Sequence, residues 1–175
     1  SVPRLPVEVC GRIIDHIAMK WHDGNITGDP YLTTLTSCAL VCQDWYFLTC
    51  YHLHQYIYLR DRKDVLSLSK SLQARPRFRE IVQVVFISGA SIRHLGTVAA
   101  MLAGKAPKLW RIGIKDAEWT IRSVRMEDIS YLAASNSIEA LDLSNVTLSS
   151  VAQLSRLVSA LRRLRHIQCF RVDFL

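Results

Sequence analysis

The stretch that decides the fold is "IEALDL", residues Ile138–Leu143, in which the first, fourth and sixth positions are apolar. The same spacing occurs in "LWRIGI", Leu109–Ile114, and in three further segments; the five segments start at residues 53, 81, 109, 138 and 164. The nearly constant interval between these starts predicts a repeat protein. The five triplets are Leu53/Tyr56/Tyr58, Ile81/Val84/Phe86, Leu109/Ile112/Ile114, Ile138/Leu141/Leu143 and Leu164/Ile167/Cys169.

The segments between the triplets have the apolar spacing of amphipathic helices. In "DVLSLSKSLQARP", Asp64–Pro76, the apolar residues Val65, Leu68 and Leu72 share one face, and the proline ends the helix. Residues 91–107, 126–135 and 147–163 follow the same pattern. A strand and a helix cannot bury their apolar faces alone, so neighbouring units must stack into a row of parallel strands with the helices outside. A doubly wound α/β sheet is the rival, but no G-x-G-x-x-G or P-loop follows any strand.

The strand pattern also predicts which side chains a target can reach. Alternate residues of a strand face opposite sides of the sheet, so with the triplets turned inward the intervening residues face outward. They form a mixed basic and polar strip that can bind a protein surface or an acidic peptide. The predicted target-binding residues are Gln83, Val85, Arg111, Lys115, Asp142, His166, Gln168 and Phe170.

The distribution of charge divides the chain near residue 52. Residues 1–52 carry three basic and five acidic residues, and residues 53–175 carry 19 basic and 10 acidic residues. We therefore expect one domain at 1–52 and a second at 53–175. A basic domain can attract nucleic acid or acidic protein, but the scattered arginines and lysines favour an ordinary solvated surface over nucleic-acid binding. Apolar runs of roughly 18–20 residues, which a membrane span needs, do not occur.

The N-terminal segment predicts three short helices with a small core. "RLPVEVCGRIIDHIA" reads as a helix beginning near Pro6, because proline suits an early helical position. "KWHDGNITGDPY", Lys20–Tyr31, reads as a loop because of its Gly, Asp, Asn and Pro residues. "LTTLTSCALVCQDWYFLTC", Leu32–Cys50, supplies one or two further helices with Leu40 and Val41 among the core candidates. A core of this size rarely suffices without a partner or a neighbouring domain.

A group of cysteines and histidines in the same segment raises the alternative of a metal or thiol site. Cys38, Cys42, Cys50, His52 and His54 lie close in sequence, but the C-x3-C and H-x-H spacings differ from those of structural zinc sites. Cysteine is commonly buried as a small apolar residue, so packing is the favoured role. Five cysteines without a regular framework favour reduced thiols in an intracellular protein. No metal, cofactor or catalytic residue is predicted.

Both halves carry family resemblances. "LPVEVCGRIIDHI" followed by "LTSCALVCQDWYFL" resembles the F-box, with a longer segment between its first two helices than most members have. Residues 53–175 resemble leucine-rich repeats, although the usual Asn/Cys position falls on other residue types. The positions that match the F-box are Leu5, Pro6, Glu8, Ile13, Ile14, Ile17, Leu40, Val41, Cys42 and Trp45. The residues at the Asn/Cys position are Asp61, Gly89, Ala117, Val146 and Val172.

The resemblance implies a non-enzymatic adaptor, present in the cytoplasm, the nucleus or both. Its F-box would bind a Skp1-like adaptor and through it a cullin, and its repeats would recruit a protein target for ubiquitin transfer. The expected fold is α/β: a three-helix F-box-like module, then about five strand-helix units that we expect to continue beyond Leu175. Two alternatives stay open: a basic repeat protein that binds nucleic acid or acidic partners, and a metal- or thiol-dependent site around residues 38–54. The implied Skp1-binding residues are Leu5, Pro6, Val9, Ile13, Leu40, Val41 and Trp45.

Overall fold

The computed structural model describes residues 6–23, 30–119 and 126–175. The described residues form seven α-helices and one five-stranded sheet, so the α/β class predicted from the repeats is confirmed. The contacts within the chain divide it into two compact units, Ser1–Tyr56 and Ile57–Leu175. The division therefore falls a few residues after the change of charge at residue 52. None of the described helices combines the length and the apolar character that crossing a bilayer requires.

The first unit consists of three helices: α1 (Val7–Asp23), α2 (Pro30–Cys38) and α3 (Gln43–Gln55). Helix α1 begins after Pro6, whose carbonyl accepts hydrogen bonds from the N–H groups of Val9 and Cys10 at 3.0 and 3.1 Å. The predicted loop is shorter than expected, because residues 20–23 continue α1 and residues 30–31 begin α2. Residues 24–29, the rest of that loop, lie outside the described residues.

The core of the first unit is small. Cys10, Ile14 and Ala18 are buried at four-residue intervals, which places them on one face of α1. Leu35 and Cys38 of α2 are the other buried apolar residues of this unit that the structure describes. Of these buried residues, only Ile14 and Leu35 have large side chains.

The second unit places its strands in one sheet in the order of the chain, β1-β2-β3-β4-β5. Strands β2, β3, β4 and β5 are parallel to one another, as strand-helix repeats require. The strands are β1 (Tyr56–Leu59), β2 (Val84–Ser88), β3 (Arg111–Trp119), β4 (Ala140–Leu148) and β5 (His166–Phe174). The helices between them are α4 (Arg62–Ala74), α5 (Leu95–Leu102), α6 (Met126–Ala133) and α7 (Val151–Ala160), with 3₁₀-helices at Pro76–Glu80 and Gly89–His94.

Two of these helices begin at side-chain caps. The carboxylate of Asp61 accepts a hydrogen bond from the N–H of Asp64 at 3.0 Å, at the start of α4. The hydroxyl of Ser150 accepts one from the N–H of Gln153 at 3.3 Å, at the start of α7. Such caps satisfy N–H groups that have no partner within the helix, which explains why these helices begin where they do.

The strand register confirms the inward triplets of β3 and β4 and corrects those of β1 and β2. Ile112 and Ile114 are buried beside Leu141 and Leu143, their partners on β4. On β2 the partners of the two isoleucines are Val85 and Ile87 rather than Val84 and Phe86, so the predicted triplet was wrong by one residue. The triplet predicted for β1 was wrong by one residue as well, because Ile57 and Leu59 are buried and not Tyr56 and Tyr58. The buried residues of β1 and of the segment through β2 are Ile57, Leu59, Val82, Val84, Val85 and Ile87.

Strands β3, β4 and β5 bend at the same place in each repeat. Asp116, Asn145 and Arg171 have φ angles of 49°, 52° and 52°, the left-handed region in which Asp and Asn are more common than most other residues. The amide Nδ2 of Asn145 donates a hydrogen bond to Oδ1 of Asp116 at 2.8 Å. This link between strands lies one residue before the position that leucine-rich repeats reserve for Asn or Cys, where Ala117 and Val146 are buried.

Candidate functional site

The first candidate surface consists of exposed apolar residues of the three-helix unit. Val9 and Ile13 lie one turn apart on the same side of α1, and both are exposed. Leu40 and Val41 form the turn between α2 and α3 and are 87% and 63% exposed. We call these four residues the N-terminal apolar set. It contains four of the seven predicted Skp1-binding residues.

The remaining predicted Skp1-binding residues differ in their surroundings. Pro6 is exposed, and its carbonyl accepts hydrogen bonds from N–H groups in the first turn of α1. Trp45 is half-buried in the first turn of α3. Leu5 lies outside the described residues.

The turn that carries Leu40 and Val41 was not predicted. The N–H of Leu40 donates to the carbonyl of Ser37 at 3.0 Å, and that of Val41 donates to the carbonyl of Cys38 at 3.2 Å. These bonds close α2, and extended Cys42 then begins α3. The expectation that Leu40 and Val41 contribute to the module's own core was therefore wrong. Their side chains are available to another surface.

The cysteines and histidines of the same unit have surroundings typical of structural residues. All five cysteines are free thiols, and Cys10 and Cys38 are buried. Burial raises the pKa of the Cys38 thiol, which keeps it in the neutral form that is a poor nucleophile and a poor metal ligand. Within the described part of the chain, no three His, Cys, Asp or Glu side chains are grouped as metal ligands.

Two histidines of α3 are held by hydrogen bonds. Nε2 of His52 lies 2.8 Å from Oδ1 of Asp15, which joins α3 to α1. Nδ1 of His54 lies 2.7 Å from the carbonyl oxygen of Cys50, one turn earlier in its own helix. The pairing of Asp15 with His52 was not predicted, because the two residues are 37 positions apart in the chain.

The second candidate surface is the face of the sheet opposite the buried rows, which we call the outer sheet face. The register places Phe86, Gly113, Asp142 and Gln168 in one row across β2 to β5. Of the predicted target-binding residues, Val85 is 1% exposed and belongs to the inner face. The prediction for Val85 was therefore wrong, whereas Gln83 precedes β2, is half-buried and is assigned to neither face by the strand register. The six that the register places on this face are Arg111, Lys115, Asp142, His166, Gln168 and Phe170.

A cluster of aromatic and charged side chains surrounds Phe86 on this face. The Tyr58 ring stacks on the Phe86 ring, with centroids 5.2 Å apart and planes 8° from parallel. Nζ of Lys115 lies 5.0 Å and Cζ of Arg111 5.8 Å from the Phe86 centroid, within the range of cation–π contacts. Nε of Arg111 donates to Oδ2 of Asp142 at 2.5 Å. We call these five residues the Phe86 cluster.

Glycine at position 113 makes the Phe86 cluster possible. A Cβ atom built on Gly113 would lie 2.1 Å from Cδ1 and 2.3 Å from Cε1 of Phe86, too close for any side chain. The ring therefore lies against the bare backbone of β3, which brings it between the side chains of Arg111 and Lys115. The sequence pattern did not predict Phe86 and Tyr58 as residues of the outer sheet face. They are separated by 28 residues, the interval of the repeat, and the corrected register places both on this face.

The remaining predicted target-binding residues lie away from this cluster. His166, Gln168 and Phe170 are exposed on β5, which is separated from β3 by β4. Cζ of Arg171 lies 5.0 Å from the Phe170 centroid, so a second cation–π pair occurs at this edge of the sheet. The outer sheet face thus carries two places where a cation and an aromatic ring meet.

No known family model matches the chain, and no curated protein matches it significantly. The resemblances to the F-box and to leucine-rich repeats rest on the residues quoted above.

Proposed function

We propose that the protein is a non-catalytic adaptor that binds a Skp1-like protein through its three-helix unit and a protein target through the outer sheet face. The observation that carries this proposal is the exposure of Leu40 and Val41, large apolar side chains in a turn between two helices. Apolar anchors of this kind are typical of a docking surface, where a few residues supply most of the binding free energy.

The energetics of the three-helix unit support a permanent partner. Burial of apolar surface contributes about 25 cal/mol per Å², or about 1.5–3 kcal/mol for a fully buried Leu or Val side chain. In the isolated unit that contribution is absent for Leu40 and Val41, while the unit's own core has few large residues. A partner that covers the N-terminal apolar set would therefore stabilise the unit as it binds.

The second half of the proposal assigns target binding to the repeats. The outer sheet face presents cations, aromatic rings and the Asp142 carboxylate on one β-sheet, a combination suited to a protein surface. Through the Skp1-like partner a cullin would join the assembly, and the target would then receive ubiquitin. An adaptor of this kind would work in the cytoplasm or nucleus, and the five free thiols suit the reducing conditions there.

The test is capture of purified Skp1 by the full chain. The double variant Leu40→Glu/Val41→Glu places two charges in the proposed contact, so we expect capture to fall at least about tenfold, or about 1.4 kcal/mol. The matched control is Leu66→Glu, because Leu66 is 51% exposed on α4 in the other unit and its replacement leaves the proposed contact unchanged. Circular dichroism of all three proteins verifies that the helices are retained.

Two results would contradict the proposal. Equal capture of Skp1 by the double variant and by the Leu66→Glu control would show that Leu40 and Val41 are outside the contact. Absence of capture by the unmodified chain would show that the three-helix unit is not a Skp1-binding module.

A further inference from the structure

We infer that the Phe86 cluster binds an extended acidic segment of a protein target, with one carboxylate on Lys115 and a second, two residues away, on Arg111. This inference rests on the proposed role of the outer sheet face in target binding. It adds the chemistry of the target: paired Asp or Glu side chains on an extended chain.

Lys115 is the first contact. Its ammonium group lies 5.0 Å from the Phe86 centroid, and the side chain is half-buried. Among the described residues no carboxylate forms an ion pair with it. A partly desolvated cation without an opposite charge gains more from an incoming carboxylate than a fully hydrated one does.

Arg111 is the second contact, and Asp142 positions it. Asp142 accepts from Nε of Arg111, and the two side chains are only 13% and 34% exposed. A guanidinium group has five N–H donors in a fixed planar arrangement, so this bond leaves its terminal nitrogens to donate elsewhere. Asp142 thus holds the guanidinium group beside Phe86 with donors remaining for a second carboxylate.

The positions of the two cations limit how far apart the acidic residues of the target can lie. Both charged groups lie within 5.8 Å of the same ring centroid, so they cannot be further apart than twice that distance. In an extended peptide, side chains two residues apart point to the same side and are separated by about 6.6 Å. An acidic residue at every second position therefore falls within the limit that these two distances set.

The geometry favours a peptide over nucleic acid. Proteins that bind single strands present free aromatic faces on which bases stack. Here Tyr58 is stacked on Phe86, and two cations already contact the same ring. A carboxylate needs no free ring face, so it fits the cluster as it stands.

The experiment measures fluorescence anisotropy of labelled synthetic peptides with the full chain, in the absence of Skp1. The probes are a peptide of alternating Glu and Ala, one of alternating Gln and Ala, and single-stranded oligo-dT. We expect binding of the Glu peptide that weakens with salt, and at least about tenfold weaker binding by the Lys115→Gln variant. Lys70→Gln is the control, because Lys70 is exposed on α4 and its loss changes the net charge equally.

Each alternative result has a definite meaning. No binding of the Glu peptide, equal binding of the Glu and Gln peptides, or an equal effect of the two lysine variants would overturn the inference. Oligo-dT binding that exceeds peptide binding and is lost in Lys115→Gln would assign the cluster to nucleic acid instead. Capture of Skp1 is measured on the same variants and should be unchanged, so failure of the adaptor proposal is distinguishable from failure of this one.

Discussion

The two units of this protein bury apolar side chains to different extents. Among the described residues, the three-helix unit buries five apolar residues and leaves Leu40 and Val41 exposed. The repeat unit buries 28 apolar residues in one continuous cluster, with Trp119 fully enclosed. Because the free energy of folding grows with the apolar area that is buried, we expect the repeat unit to be the more stable of the two.

The largest effect is expected from removing core atoms in the repeat unit. Ile114 is completely buried between Ile87 and Leu143, its partners on the adjacent strands. Truncation by Ile114→Ala should lower the free energy of unfolding by about 2–5 kcal/mol, and Ile114→Val by about 0.5–1.5 kcal/mol. Urea denaturation monitored by circular dichroism measures both. A loss below about 1 kcal/mol for the alanine variant would show that the cluster is not a tightly packed core.

A glycine in each unit supplies the second test, with effects of opposite sign. Gly113→Ala brings a Cβ atom onto the Phe86 ring and should destabilise the chain by about 1–3 kcal/mol. Gly11→Ala lies in helix α1 with nothing within 4 Å of the new atom, so it should stabilise the helix by about 0.5–1 kcal/mol. The near-ultraviolet circular dichroism of Gly113→Ala should change as well, because the Tyr58–Phe86 stack is displaced.

The same urea titrations can also contradict the proposed contact between Phe86 and the backbone of β3. Equal and small effects of the two alanine variants would mean that Phe86 does not lie against the backbone of β3. The Phe86 cluster would then lose the feature that brings its two cations together.

The smallest effect on stability is expected at the most exposed apolar residue. Leu40→Ala should change the free energy of unfolding of the chain alone by less than about 0.5 kcal/mol, because the side chain is 87% exposed. If Skp1 binds the three-helix unit as we propose, the same substitution should reduce the increase in Tm that Skp1 causes. A substantial loss of stability without Skp1 would show that Leu40 packs within the unit, contrary to the comparison drawn above.

The sequence predicted the repeats well where polar residues interrupt the strands. In β3 and β4, Gly113 and Asp142 separate the buried apolar positions, and the charged residues Arg111 and Lys115 flank those of β3, so only one register is compatible with burial. In "YIYL" and "VVFI" every residue is apolar, and such a run does not show which face is inward. Val84 and Val85 are in fact both buried. The inward faces of β1 and β2 could therefore not be predicted from the sequence, and neither could the Phe86 cluster that depends on them.

The turn at Leu40 and Val41 was missed for a different reason. Gly, Pro, Asn and Asp are the usual signs of a turn, and none of them occurs between Cys38 and Cys42. The local sequence has the composition of a helix interior, and the backbone hydrogen bonds that close α2 involve no diagnostic side chain. The pairs Arg111–Asp142 and Asp15–His52 depend on tertiary proximity, which spacing along the chain does not reveal.

The bend at Asp116, Asn145 and Arg171 has a consequence for how such a protein can evolve. Each bend is made by one residue at the same place in successive strands, and the bond from Asn145 to Asp116 connects only adjacent units. A duplication or deletion that spans one whole interval, from one bend to the next, would leave the bend at the same position in every strand. We therefore expect the repeat unit to tolerate a change of length by complete units better than a change by part of a unit, and each such change would alter the area of the outer sheet face.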